Sequence, residues 1–314
     1  MNIKGKVIIC DTIDEIGIKS LKNAGLTVDY FPEISAEDLL SKVSEYDVIV
    51  VRSRTKITKE VIQNAKKAKI IARVGVGLDN IDTQEAEKQN MDVINAGEAS
   101  ITAVSELVMG FMFSLCRNIP IANYETKKGN WIKKNLVGTE LKGKYLGIIG
   151  LGKIGRNVAR LARGLRMNLI GYDIAPIDKS FVQEVSLITT DLKTLMESSD
   201  FITCHVPLTE QTKHLINKQT ISNMKSSAFI INTSRGEIIE ENDLVEALKN
   251  NKIAGAALDV FEKEPPSNRE LLDLSNLICS PHIGAQTKEG QELASTVIAE
   301  KIIQKIITNE NTNA

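Results

Sequence analysis

The chain has three histidines. One of them, His282 in "ICSPHIGAQT", directly follows a short apolar run that reads as a strand. Histidine is the side chain whose ordinary titration range spans neutral pH, so it can carry a proton in either direction. Glu264, in "DVFEKEPP", lies in a loop before two prolines, and a carboxylate placed beside an imidazole favours its protonated form. Arg235, in "INTSRGEIIE", falls at the C-terminal end of another predicted strand, the edge at which open α/β sheets bind ligands. A fixed cation with an acid–base group can hold an anion, polarise a carbonyl oxygen and exchange a proton there. Singly, each has a plainer explanation: a histidine after a strand is commonly a turn or core residue, and a lone arginine or glutamate usually faces solvent. His214 lies at the start of a polar helical stretch and is expected to be structural.

A second constellation lies in "YLGIIGLGKIGRNVARLA", where Gly150, Gly152 and Gly155 form G-x-G-x-x-G between an apolar strand and a helix. The first glycine permits the turn, the second lets backbone approach a pyrophosphate, and the third lets the helix pack closely on the strand. The next predicted strand, "NLIGYD", ends at Asp173, where a carboxylate would accept from the adenosine ribose hydroxyls. Because "IAPID" follows rather than a basic residue, NAD is expected rather than NADP, whose 2′-phosphate the carboxylate would repel.

These residues need a scaffold, and the pattern around them supplies one. Short β-rich runs alternate with longer stretches of helical spacing: "KVIIC", "LTVDY", "YDVIVV", "KIIARV" and "MDVINA" in the first third, then "KYLGIIG", "NLIGYD", "SLITT", "DFITCHVP", "SAFIINTS", "AGAALDV" and "NLICSPH". Alternation of this kind implies parallel sheets with right-handed crossovers. Helix candidates include "IDEIGIKSLKNAG", closing on Gly25, "DLKTLMESS", and "NDLVEALKNN" with Asn242 as its N-cap. A helix is expected over about 101–119, apolar on nearly all sides and therefore buried, followed by the polar stretch "YETKKGNW". The stretch from about 287 to 309 is again helical, and the 310–314 tail should fray.

The 314 residues suggest about two domains. Charge is balanced, with 39 Lys+Arg against 40 Asp+Glu. No electrostatic footprint for nucleic acid or an anionic membrane is visible, so the expected partners are a small molecule and a second copy of the chain. No export signal is visible in the first residues, and none is expected. Ser105, Glu106, Gly110 and Ser114 interrupt the most apolar segment, which falls short of a membrane span. Cys10, Cys116, Cys204 and Cys279 are far apart and read as free thiols of a cytoplasmic protein, with neither disulfide nor metal expected.

Taken together, "GLGKIGR", "HVPLTEQTKHLIN", "INTSRGEIIEENDL", "AALDVFEKEPP" and "SPHIGAQTKEGQ" resemble the D-2-hydroxyacid dehydrogenases. Further segments, "VVRSRTKIT", "RVGVGLDNID", "WIKKNLVGTELKGKYLGIIGLGKIGR" and "GAQTKEG", are similar to the phosphoglycerate dehydrogenase branch of that family. The resemblance implies an α/β chain of two doubly wound parallel-sheet domains. A Rossmann-type NAD domain, residues 99–286, would be inserted into a flavodoxin-like substrate domain made of 1–98 and 287–314. It implies catalytic roles for Arg235, Glu264 and His282. Cofactor contacts are implied for Gly150, Gly152, Lys153, Ile154, Gly155 and Asp173, and for His205, Val206, Pro207 and Thr212. Thr233, Ser234, Arg235, Asp259, His282 and Gly284 would line the nicotinamide end, with Asp259 on the carboxamide. The backbone of Val74, Gly75 and Val76 would meet a substrate carboxylate, together with Arg235 and His282.

"VRSRTK" places Arg52, Ser53, Arg54 and Lys56 after a strand, with Arg73 nearby, and such cations suit a substrate phosphate. The resemblance thus implies oxidation of D-3-phosphoglycerate to 3-phosphohydroxypyruvate by a homodimer. The alternatives are a relative acting on glyoxylate, hydroxypyruvate or D-lactate, and an NAD(H)-sensing binding protein of the corepressor kind. Two departures stand out: Gln286 where the family's segment commonly reads "GAST", and an end at residue 314, which leaves no expected room for a C-terminal serine-sensing domain.

Overall fold

The computed structural model describes residues 3–312. The chain divides into two compact units, one formed by residues 1–100 and 285–314 and the other by 101–284. The first unit holds five parallel strands: β1 (Lys6–Ile9), β2 (Thr27–Tyr30), β3 (Val48–Val51), β4 (Ile70–Arg73) and β5 (Asp92–Asn95), in the spatial order β2-β1-β3-β4-β5. The second holds seven: β6 (Tyr145–Ile149), β7 (Asn168–Tyr172), β8 (Leu187–Thr189), β9 (Phe201–Cys204), β10 (Phe229–Asn232), β11 (Gly255–Leu258) and β12 (Leu277–Cys279), ordered β12-β11-β10-β9-β6-β7-β8. All their pairings are parallel as well. These are the flavodoxin-like and Rossmann orders, in which every strand ends on one edge and ligands bind there.

Strands covered on both faces must be apolar throughout. Accordingly β3, β9 and β11 are buried at every position. All twelve strands fall inside the runs expected from sequence, and ten of them stop one to several residues before the run ends. The chain leaves the sheet at His205 and Ser280, for example, where the residues begin to serve loops.

Helix ends follow side-chain caps. Asp14, Ser35, Thr58 and Asp191 each accept from a backbone N–H of the first turn, and Gly25 follows the first helix at φ +101°. Helix Glu241–Lys249 starts earlier than expected: Glu240, not Asn242, caps it by accepting from the Asp243 N–H, and the Asn242 amide donates to Glu240. Instead of one helix over 101–119 there are two, Ile101–Cys116 and Ile119–Lys127. They are separated where Asn118 adopts a left-handed conformation, and the second covers the first residues of the polar stretch "YETKKGNW". The last helix runs from Lys288 to Thr312, so residues 310–312 are helical rather than frayed, while 313 and 314 lie outside the described residues.

Helical turns run unbroken over Gly97–Cys116, 20 residues, so the interruptions at Ser105 and Gly110 do not shorten the segment as the sequence suggested. By length and composition this run would suffice to cross a membrane, but most of it is buried inside the protein. The Ser105 hydroxyl donates to the Ile101 carbonyl at 2.7 Å, which lets it be buried without an unmet hydrogen bond. Glu106 and Gly110 face outward. Val108, Met109, Phe111, Met112 and Leu115 enter one core with Val158, Ala159 and Ala162 of helix Lys153–Gly164.

Candidate active site

The glycine loop joins β6 to helix Lys153–Gly164. Gly150 has φ +91°, and a side chain there would strike the His205 carbonyl at 2.7 Å. One at Gly155 would collide with the Gly150 carbonyl. At Gly152 an added Cβ would meet nothing within 4 Å. The fold itself therefore requires two of the three glycines, whereas the space over Gly152 is open, as a backbone cradle for a pyrophosphate must be. Gly152 is also the N-cap of the helix and supplies no side chain to its first N–H groups, leaving them to an anion. Lys153 is exposed and Ile154 half-buried in that first turn.

Asp173 follows β7, as expected. Its carboxylate accepts from the Leu151 N–H at 2.6 Å and the Ala175 N–H at 2.8 Å. It therefore pins the glycine loop from the neighbouring strand, and each oxygen retains acceptor capacity for a hydroxyl.

At the ends of β10, β11 and β12 the three expected chemical residues share one sheet edge. His282 Nδ1 lies 2.8 Å from Glu264 Oε2. Both side chains are partly open to solvent, at 53% and 39% exposure, so the pair is reachable. The other Glu264 oxygen accepts from the Phe261 N–H at 3.3 Å. Arg235 is half-buried, with Nη1 donating to the Ser234 carbonyl at 2.6 Å. Gly236 must be glycine because a Cβ would drive into the backbone of Phe261 and Glu262. This contact lays the Arg235 turn against the segment that leads to Glu264.

Two buried residues hold that edge in shape. Asn232, fully buried, accepts from the Ser234 N–H and hydroxyl and donates to the Arg235 carbonyl. Asp259, 1% exposed, accepts from the Ser280 hydroxyl, the Ile283 N–H at 2.8 Å and the Gly284 N–H at 2.7 Å. Its carbonyl accepts from the His282 N–H at 2.8 Å. These bonds fold residues 280–284 around it, with His282 at φ +52°. Sequence reading pointed Asp259 at the nicotinamide and overlooked Asn232; both brace the turns that carry Arg235 and His282, with a polar residue just after or at the end of a buried strand as the available signal. The Thr233 hydroxyl, beside Arg235, is buried with no partner among the described residues, so it is available to a ligand amide or hydroxyl.

The other expected contacts lie after β9. The His205 N–H donates to the Ile149 carbonyl at 2.7 Å, and its ring Nε2 lies 3.0 Å from the Thr203 hydroxyl. Burial pushes the His205 pKa down to about 3, so this histidine is neutral in the range where His282 would work. Val206 packs on the core of the unit. The Thr212 hydroxyl donates to the Pro207 carbonyl at 2.6 Å and accepts from the Thr209 N–H at 2.8 Å. Thr212 thereby closes the 207–212 loop, in addition to any part it takes with a phosphate. His214 pairs with Glu262 at 3.1 Å, in keeping with a structural role.

In the first unit, "VRSRTK" forms a loop after β3 that is held from two sides. The buried Asp11 carboxylate accepts from the Arg52 N–H at 2.5 Å, the Thr55 N–H at 3.2 Å and the Thr55 hydroxyl at 2.7 Å. The Asn80 amide donates to the Arg52 and Thr55 carbonyls. Neither Asp11 nor Asn80 stood out in the sequence. Arg54 departs from expectation: its guanidinium donates to the Cys10, Pro32 and Ile34 carbonyls and pairs with Asp11 at 3.2 Å. Those contacts engage four of its five N–H groups, so Arg54 serves as a tie within the unit. Ser53 and Lys56 are exposed.

Of the three backbone positions after β4, Val74 already donates its N–H to the Val51 carbonyl at 2.8 Å and has none to offer. The Gly75 and Val76 N–H groups meet no acceptor among the described residues. The Arg73 guanidinium fills the space that a side chain at Gly75 would need.

Known proteins agree with this architecture. Residues 109–284 match the model of the D-isomer specific 2-hydroxyacid dehydrogenase, NAD binding domain. The chain is 45% identical over 306 residues to D-3-phosphoglycerate dehydrogenase of Methanocaldococcus jannaschii, an alignment that covers 97% of this chain and 58% of that protein. It thus spans little more than half the length of that relative. It is 42% identical to hydroxypyruvate reductase of Thermotoga maritima, covering 96% of this chain and 98% of that one. Among solved structures, a glyoxylate reductase from Paecilomyes thermophila superposes with a TM-score of 0.88 at 27% identity, covering 96% of this chain and 95% of the other. With its glycine loop, its parallel sheet and the extent of these matches, the chain belongs to the D-isomer specific 2-hydroxyacid dehydrogenase family, and its second unit carries that family's NAD-binding domain.

Proposed function

We propose that the chain is an NAD-dependent dehydrogenase that oxidises D-3-phosphoglycerate to 3-phosphohydroxypyruvate. The observation that carries the proposal is the hydrogen bond between His282 Nδ1 and Glu264 Oε2, on the same sheet edge as the glycine loop. NAD, when bound, supplies the acceptor for the hydride. Gly152, the first turn of helix Lys153–Gly164, Asp173 and the Thr233 hydroxyl are the groups suited to hold it.

With Nδ1–H donated to Glu264, the lone pair of His282 stands on Nε2. The ring takes the proton of the substrate hydroxyl there, and the Glu264 carboxylate stabilises the resulting imidazolium. In the opposite direction the same nitrogen returns the proton to the keto oxygen. Arg235 holds the substrate carboxylate and the oxygen under reaction, and its fixed charge acts where negative charge develops. The Gly75 and Val76 N–H groups are further donors for the carboxylate, and Arg52 is the cation for the phosphate.

The similarity to hydroxypyruvate reductase over nearly all of that relative's length favours a second reading, reduction of an unphosphorylated keto acid. A substrate panel separates the two. Initial rates with NAD and NADP are measured for D-3-phosphoglycerate, D-glycerate and D-lactate, and in reverse for phosphohydroxypyruvate, hydroxypyruvate and glyoxylate. We expect NAD to be preferred and kcat/KM for D-3-phosphoglycerate to exceed that for D-glycerate by about tenfold or more, the worth of one charge-assisted contact. Equal values would remove the phosphate assignment, and no turnover of any hydroxy acid would favour a nucleotide-sensing binding protein.

The chain is also proposed to form a homodimer. The family resemblance implies it, and the apolar helix near 101–119 is a further physical reason from sequence, but that helix's side chains largely enter its own core. Support comes instead from the neighbouring segment, where Ile119, Ile121, Tyr124, Trp131 and Val137 are exposed at 41–85%.

A further inference from the structure

The bracing of the 52–55 loop leaves its two arginines in different conditions. Arg54 is tied to three carbonyls and a carboxylate. Among the described residues the Arg52 guanidinium has one hydrogen-bond partner, a neutral one: Nη2 donates to Gln286 Oε1 at 3.0 Å, and the same oxygen accepts from Gln291 Nε2 at 3.0 Å. Gln286 stands just before helix Lys288–Thr312 and Gln291 lies in its first turns. Arg52 is therefore anchored at its main chain by Asp11 and Asn80 and at its tip by an amide that is itself anchored.

The residue type matters. A serine or alanine at 286 could not span to the guanidinium, and Arg52 would keep its rotamer freedom until a ligand bound. A glutamate would reach it and form a salt bridge that compensates the charge. Glutamine alone fixes the direction of the cation while leaving its charge for a ligand, and its amide N–H groups are neutral donors close by. Burial lowers the Arg52 pKa against the opposing effect of the nearby Asp11 carboxylate, consistent with a guanidinium partly withdrawn from water.

We propose that Gln286 is a specificity-determining positioning residue that holds Arg52 to receive the phosphate of the substrate in preference to a hydroxyl. This rests on the reading of the substrate as phosphorylated. The test measures kcat and KM for D-3-phosphoglycerate and D-glycerate, at saturating NAD, in the unaltered protein and in Gln286→Ala and Gln286→Glu. Comparing two substrates within each variant removes any effect of partial misfolding. For Gln286→Ala, the ratio of kcat/KM between the two substrates falls about five- to tenfold, through a higher KM for the phosphorylated one. Gln286→Glu lowers the ratio at least as far, since it keeps the tether but cancels the charge. If the unaltered protein discriminates and the variants keep its ratio, or if they lose kcat for both substrates at constant KM, the positioning role is wrong while the substrate reading stands. If the unaltered protein shows no preference for the phosphorylated acid, the reading fails and the proposal with it.

Discussion

At the scale of single residues, the proposed chemistry depends on a proton carrier and the group that orients it. Glu264→Gln keeps a hydrogen-bonding partner for His282 but withdraws the charge that stabilises its protonated form. It should lower kcat by about 10- to 100-fold in both directions with a much smaller change in KM, as steady-state rates would reveal. Arg54 offers the opposite case. Its guanidinium is tied to Cys10, Pro32, Ile34 and Asp11, so Arg54→Leu should lower the thermal midpoint by roughly 4 °C or more. It should raise KM for D-3-phosphoglycerate less than Arg52→Leu does; the reverse ranking would restore Arg54 to the substrate. His205, pushed down to about 3 from 6.5 by burial, makes acid unfold the protein more readily. Native and unfolded states are both uncharged there above pH 6.5. As pH falls from 6.5 towards 3 the unfolded chain takes up a proton that the native one refuses, and stability drops. His205→Gln should therefore lose less stability across that window, measured by denaturant midpoint against pH.

At the scale of elements, the glycine loop separates what the fold needs from what a ligand needs. Gly155→Ala forces a methyl into the Gly150 carbonyl and should yield a destabilised protein that binds NAD poorly. Gly152→Ala places its methyl in open space, at a backbone φ of −69° that alanine adopts freely. The variant should keep the wild-type melting temperature within about 2 °C yet weaken NAD about tenfold or more by calorimetry. Unchanged NAD affinity in Gly152→Ala would deny the loop its cradling role. The turn around His282 obeys the same logic four strands away in the same sheet: the Asp259 side chain collects the Ser280 hydroxyl and the Ile283 and Gly284 N–H groups, so the loop's shape is dictated by a buried acceptor beneath it.

At the scale of the whole molecule, the exposed apolar side chains between Ile119 and Val137 should be covered by a second copy. Ile119→Asp combined with Ile121→Asp is expected to shift the protein from dimer to monomer in sedimentation experiments, and a wild-type monomer at micromolar concentration would sink the idea. The strands were legible because a parallel sheet buried on both faces demands continuous apolar runs, and twelve such runs are written plainly along the chain. The glycine loop, Asp173 and the Arg235, Glu264 and His282 set were legible because each chemistry admits few residue types at a strand's end. Other features could not be read in the same way, because a side chain's partners come from segments far away in sequence. Arg52 and Arg54 look alike in "VRSRTK", yet Asp11 and three carbonyls take one, while a glutamine 234 positions away steadies the other. The sequence by itself thus determined the architecture and the kinds of groups at the site. Tertiary structure alone decided which of those groups are braces and which remain open to a ligand, since hydrogen-bond capacity is limited and the fold assigns it.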